Sequence, residues 1–165
     1  MNPAHLHLVL NHIPLFGIGF VILLLTIALS RRSNELINIS LIFVILVALS
    51  TIAVHQTGES AEDFVEGLPG FSDQLVQAHD VAADLAFVFV EAVGILALIT
   101  LVLRRYYEKL GNWLSILTLL CLIIGGGLIA RAANLGGKIN HPEIRSDTSA
   151  LSVPSYKSGE EGDHD

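Results

Sequence analysis

Seven histidines stand at positions 5, 7, 12, 55, 79, 141 and 164 of a 165-residue chain that has a single cysteine. A neutral imidazole offers a lone-pair nitrogen to a metal, and haem iron takes such a nitrogen axially. Spacing decides what these histidines can share. His5 and His7 are two residues apart, which on a helix turns them about 200° away from one another. His7 and His12 diverge by about 140°. Neither pair is a helical chelate, so a zinc or copper site, like a haem site, must collect ligands from several helices. Cys121 lies alone in an apolar run, which excludes a disulfide framework, a CxxC pair and a covalent CxxCH haem attachment. No nucleophile with its base, phosphate loop or zinc-hydrolase motif is present, so independent catalytic activity is not expected. Nucleic acid is not an expected partner.

A second group is acidic. Asp80, Asp84 and Glu91 are spaced by four and seven, which puts all three on one helix face. Glu91 lies deep in an apolar stretch, where an isolated carboxylate is costly. Asp84 and Glu91 are candidates for a proton path or a quinone contact. The plainer reading is a neutral Glu91 that bonds a neighbouring helix.

The elements that carry these groups follow from composition. The chain is 52% apolar and only 15% charged, with a mean hydropathy of +0.63, whereas soluble domains run near 25% charged. Four stretches approach or exceed the roughly 20 apolar residues that a span needs: 13–29, 36–54, 75–103 and 113–130. Residues before His12 include no Lys or Arg, so the first run is read as a retained span and not a signal peptide. With their caps, helices are predicted over 3–30, 34–57, 73–108 and 112–134. Pro14 predicts a bend near His12. Residues 1–140 form the domain, an all-α integral membrane four-helix bundle. Residues 141–165 read as a polar, acidic, disordered tail.

Loop charge gives the direction. Arg31 and Arg32 occupy one short turn; Arg104, Arg105 and Lys109 occupy the other. The loop from His55 to Asp80 has no Lys or Arg but carries Glu59, Glu62, Asp63, Glu66 and Asp73. The positive-inside rule therefore puts both basic turns in the cytoplasm and both termini outside it. Six of the seven histidines then gather at the outer, periplasmic side of a bacterial inner membrane.

Helical rise converts spacing into depth. His12 lies roughly 28 Å above Arg31, and His55 roughly 30 Å above Glu35. His7 and His79 reach roughly 36–38 Å. Two levels of histidine on three helices suit one or two b-type haems, with depth pairing His12 with His55 and His7 with His79. Gly125, Gly126 and Gly127 could admit a flat macrocycle at Gly126, or simply another helix. Arg131 could pair with propionates, because its fork suits carboxylates.

The stretch from His7 to Pro14, His-Leu-Val-Leu-Asn-His-Ile-Pro, resembles the opening of a family of bacterial four-helix membrane proteins. That family's pattern reads approximately His-Pro-x-x-Val-His-Phe-Pro, and Thr57-Gly58 and His79 also fit it. Leu8 replaces the first proline and Ile13 the aromatic residue; neither change removes a ligand. The resemblance spans residues 3–137. It implies the four-helix architecture, highlights His7, His12 and His79, and brings no activity with it.

The expectation is a b-type haem-binding membrane electron-transfer protein, or a cytochrome-like subunit of a larger redox complex. His7, His12, His55 and His79 would be the iron ligands. Its partners would be the lipid bilayer, other membrane-complex subunits, and a quinol or periplasmic cytochrome. One alternative is a cofactor-free accessory subunit of a respiratory or photosynthetic complex. Another is a small metal or proton-coupled transporter, against which stand the small size and the lack of paired broken helices.

Overall fold

The computed structural model describes residues 2–65 and 72–141. These form α1 (Pro3–Leu10), α2 (His12–Ser30), α3 (Asn34–Val65), α4 (Asp73–Leu103) and α5 (Glu108–Asn140), with no strand among the described residues. Residues 142–165, the greater part of the expected disordered tail, lie outside the description, as do Glu66 and the Pro69-Gly70 pair.

Asn2 opens the chain as an N-cap, its Oδ1 accepting from the Ala4 N–H at 2.9 Å, with Pro3 in the first turn. Pro14 has no N–H to give the Leu10 carbonyl, and the helix breaks at Asn11, between α1 and α2. Together α1 and α2 make one membrane-length segment, Pro3–Ser30, beside three others: Asn34–Phe64, Asp73–Leu103 and Glu108–Ile139. Four helices are therefore long and apolar enough to cross a membrane.

The basic turn after α2 is a Schellman stop. Arg32 adopts φ 51°, while its N–H bonds the Leu29 carbonyl and the Ser33 N–H reaches back to Ala28. An arginine here occupies the left-handed position that glycine usually takes.

Helix pairs α2/α3, α3/α4, α4/α5 and α2/α5 close an up-down-up-down bundle, and α1 lies on α3. The core face of α2 is Ile18, Val21, Leu25 and Ala28; that of α3 is Ile37, Leu41, Val44 and Ala48. Alternating steps of three and four are those of helices packed at about 20°. The buried residues of α4 and α5 are smaller: Ala86, Val90, Gly94 and Ala97 on one, Ser115, Thr118, Leu122 and Gly125 on the other. The buried hydroxyls among these bond back to their own helix, Ser115 to Gly111 and Thr118 to Leu114. The backbones can then approach closely: a Cβ built on Gly94 would lie 2.5 Å from the Ala48 methyl. Large apolar side chains face outward instead. Phe16 is 69% exposed, Val88 65% and Trp113 72%, an exterior compatible with a membrane.

Helix ends differ from the sequence reading. α3 runs on through Gly58 to Val65, because Gly58 seats a side chain from α1 and helix-compatible residues follow it. α4 stops at Leu103, five residues short of 108. α5 begins at Glu108, so Gly111-Asn112 lies inside it, and it continues past Gly136-Gly137 to Asn140.

Candidate functional site

The end of the bundle that holds α1 repeats one arrangement twice. His7 on α1 places Nδ1 3.1 Å from the Val54 carbonyl of α3, and a Cβ on Gly58 would lie 3.2 Å from the His7 ring. His79 on α4 places Nδ1 2.9 Å from the Ala132 carbonyl of α5, and a Cβ on Gly136 would lie 3.1 Å from the His79 ring. In both cases a carbonyl at position i anchors the imidazole and a glycine at i+4 makes room for it.

A carbonyl oxygen only accepts, so each Nδ1 carries the proton and donates it. In the neutral ring Nε2 is then the lone-pair nitrogen, the form in which histidine binds metals. A backbone partner behind a ligating imidazole fixes its tautomer and orientation and raises its basicity. The two rings lie edge to face, with centroids 6.5 Å apart and planes at 77°. Two metal–imidazole bonds near 2 Å, plus the ring half-widths, span about 6 Å. The centroid separation of the pair is close to that span. Thr57 completes the His7 surroundings, its Oγ1 3.4 Å from Nδ1.

The other expected pair is not assembled. His12 is exposed; its Nδ1 bonds the Leu8 carbonyl of its own chain turn at 2.7 Å and its ring stacks on Phe16 at 6.1 Å. His55 stacks on Phe87 of α4, with centroids 4.3 Å apart and planes at 10°. Its two nitrogens face Asp84 Oδ1 and Glu59 Oε1, each at 3.7 Å. No ring contact or hydrogen bond joins His12 to His55 among the described residues. Their similar depth was legible, but α2 points one outward and the α3/α4 seam holds the other. No group of three or more His, Cys, Asp or Glu side chains suited to a metal ion occurs among the described residues.

Gly126 is not a macrocycle seat. A Cβ there would lie 3.4 Å from Ile22 and 3.8 Å from Ile18, so α2 fills the space, while Gly125 faces Val90 and Phe89. Of the three glycines, Gly127 faces open space. Arg131 is exposed and lines a groove of about 440 Å³ with Gln74, Gln77 and Asn134, next in sequence to the Ala132 that anchors His79. Glu91 bonds Thr51 across the α3/α4 seam at 2.7 Å.

The opposite end holds a cluster that the sequence reading missed. Arg104 donates from Nε to Asn38 at 3.1 Å, from Nη1 to Asn112 at 2.7 Å and Ser115 at 3.3 Å, and from Nη2 to Asn34 at 2.8 Å. Gly111 packs against the Arg104 stem. Partial burial holds the guanidinium below its ordinary value, offset in part by Glu108. The signal was present as Asn34 and Asn38 at i, i+4 beside one basic turn and Asn112 and Ser115 at i, i+3 beside the other, but arginine there reads first as a topology charge.

Comparisons with models of protein families, with curated proteins and with solved structures give no match. The N-terminal pattern thus stays a resemblance, and the functional reading rests on the residues.

Proposed function

We propose that this chain is a membrane-anchored electron carrier of the b type, acting alone or as a subunit of a larger redox assembly, with His7 and His79 as the two axial ligands of one haem. One observation carries this: two imidazoles from different helices, each pinned through Nδ1 to a carbonyl of a third and fourth helix, meet at 6.5 Å. Bound there, a haem supplies a one-electron ferric–ferrous couple. The chain's own contribution is to fix the tautomer of each ligand and to hold all four helix ends around it. By the positive-inside rule this end faces away from the cytoplasm, on the periplasmic side of a bacterial inner membrane. A quinol, a periplasmic cytochrome or a neighbouring subunit would exchange electrons there.

Purification from the native membrane in mild detergent, followed by reduced-minus-oxidised spectra and pyridine haemochrome quantitation, tests the proposal. One b-type haem per chain is expected. Its absence from folded preparations overturns the proposal in favour of a cofactor-free accessory subunit. A specific observation favours that second reading: the same two bonds, from α1 to α3 and from α4 to α5, also work as helix clasps. That reading expects co-purification with a larger complex.

A further inference from the structure

The groove between α4 and α5, at the histidine end, holds a cation with unused bonding capacity. Gln74, Gln77 and Val81 line it from α4, and Arg131, Asn134 and Leu135 from α5, around about 440 Å³. That is room for a small ligand or a lipid headgroup. Among the described residues, the side chains of Arg131, Gln74, Gln77 and Asn134 make no hydrogen bond or ion pair. Arg104, at the other end, bonds four side chains. Arg131 keeps its five N–H donors, and a planar fork of donors selects anions with paired oxygens.

Depth narrows the choice of anion. The two helices run antiparallel, so Val81 and Arg131 mark the inner edge of the groove, and Gln74 and Asn134 its outer edge. Arg131 stands about 27 Å along α5 from Trp113, which lies beside the basic turn. A bilayer's hydrocarbon is roughly 30 Å thick, so Arg131 falls at headgroup level on the histidine side. Below it the surface of α4 is apolar, with Val81, Leu85 and Val88 all exposed. The groove is therefore graded: apolar where acyl chains run, cationic at the phosphate level, and lined with amides above. A free phosphate needs only the cation, whereas an amphiphile uses all three zones. The lining has one cation and no acid, which matches a single negative charge. Each carboxamide both donates and accepts, which suits hydroxyl groups and offers nothing to a trimethylammonium.

We propose that this groove binds the headgroup of a singly anionic phospholipid of the phosphatidylglycerol class. Its phosphate lies on Arg131 and its hydroxyls on Gln74, Gln77 and Asn134. The site is independent of haem, since the lipid is read on protein with or without a cofactor.

Native mass spectrometry of the full-length protein, delipidated in detergent and titrated with phosphatidylglycerol or phosphatidylcholine, tests it. The wild type should prefer phosphatidylglycerol about ten-fold, the scale of one charge-assisted hydrogen bond. Arg131→Gln should remove that preference, and Arg131→Lys should keep part of it. Gln74→Leu combined with Gln77→Leu should lower it with the charge still in place. Arg105→Gln, which removes an exposed arginine at the basic-turn end, should leave it unchanged. Glycerophosphoglycerol, the same headgroup without acyl chains, should fail to displace the lipid. Equal binding of both lipids by the wild type, or a preference that survives Arg131→Gln, would overturn the site. A loss as large in Arg105→Gln would reduce the effect to overall charge and overturn it too. Displacement by glycerophosphoglycerol would overturn the lipid as occupant in favour of a soluble phosphate ester.

Discussion

The two ends of the bundle solve the same task, tying helices together with polar side chains, in opposite ways. At the basic-turn end, Arg104 spends four of its five N–H groups on neutral oxygens from α3 and α5. The acceptors are side chains, the cradle holds no acid, and little bonding capacity is left over. At the other end, His7 and His79 use only one nitrogen each, on backbone carbonyls, and keep a second nitrogen with a lone pair. A saturated cluster is a fastening; an unsaturated one can bind. That difference is the ground on which the proposed centre is put at the histidine end.

Substitutions can break or sharpen this contrast. The largest effect is expected from Arg104→Ala. Asn38, Asn112 and the buried Ser115 would lose their donor at once, and the cost should be about 2–3 kcal/mol in reversible unfolding in mixed micelles. Arg104→Lys should recover about half of that, because an ammonium has three donors and no planar fork. Neither should alter a cofactor spectrum, and if either did, the fastening and the binding end would not be separable.

Next come the glycine seats. A methyl at Gly136 or Gly58 would stand 3.1 or 3.2 Å from its imidazole. Gly136→Ala and Gly58→Ala should each cost about 1 kcal/mol in the same unfolding assay, by displacing the ring from its carbonyl. Each should also change the ligand field of any bound haem, visible as altered redox difference bands. The smallest effect is expected from His12→Ala. That ring is exposed and bonded only within its own turn, so stability should stay within about 0.5 kcal/mol and the cofactor spectrum should not move.

Much of this fold was legible because lipid imposes it. Charge-poor runs of spanning length and two basic turns leave few options besides two antiparallel hairpins. Helix rotation was not legible. His7 and His12 lie on one span at different azimuths, and the break at Asn11 shifts the relation further, so only packing could select His7 as the inward residue. Depth alone matched His12 with His55 as well as it matched His7 with His79. Glycine was ambiguous for a related reason. Gly58 reads as a helix stop and the run at Gly125 as either a ligand opening or a helix contact; the first seats an imidazole, and Gly125 and Gly126 meet neighbouring helices. Arg104 was counted as a topology charge because its acceptors come from two other helices, and those on α3 lie 66 and 70 residues away along the chain.

The most direct test compares four alanine variants, at positions 7, 79, 12 and 55, by reduced-minus-oxidised spectra of protein purified in equal amounts. The account predicts that His7→Ala and His79→Ala each abolish or convert the b-type signal, while His12→Ala and His55→Ala retain it. A signal that survives in both of the first two, or is lost in either of the last two, would contradict the assignment of the centre to His7 and His79.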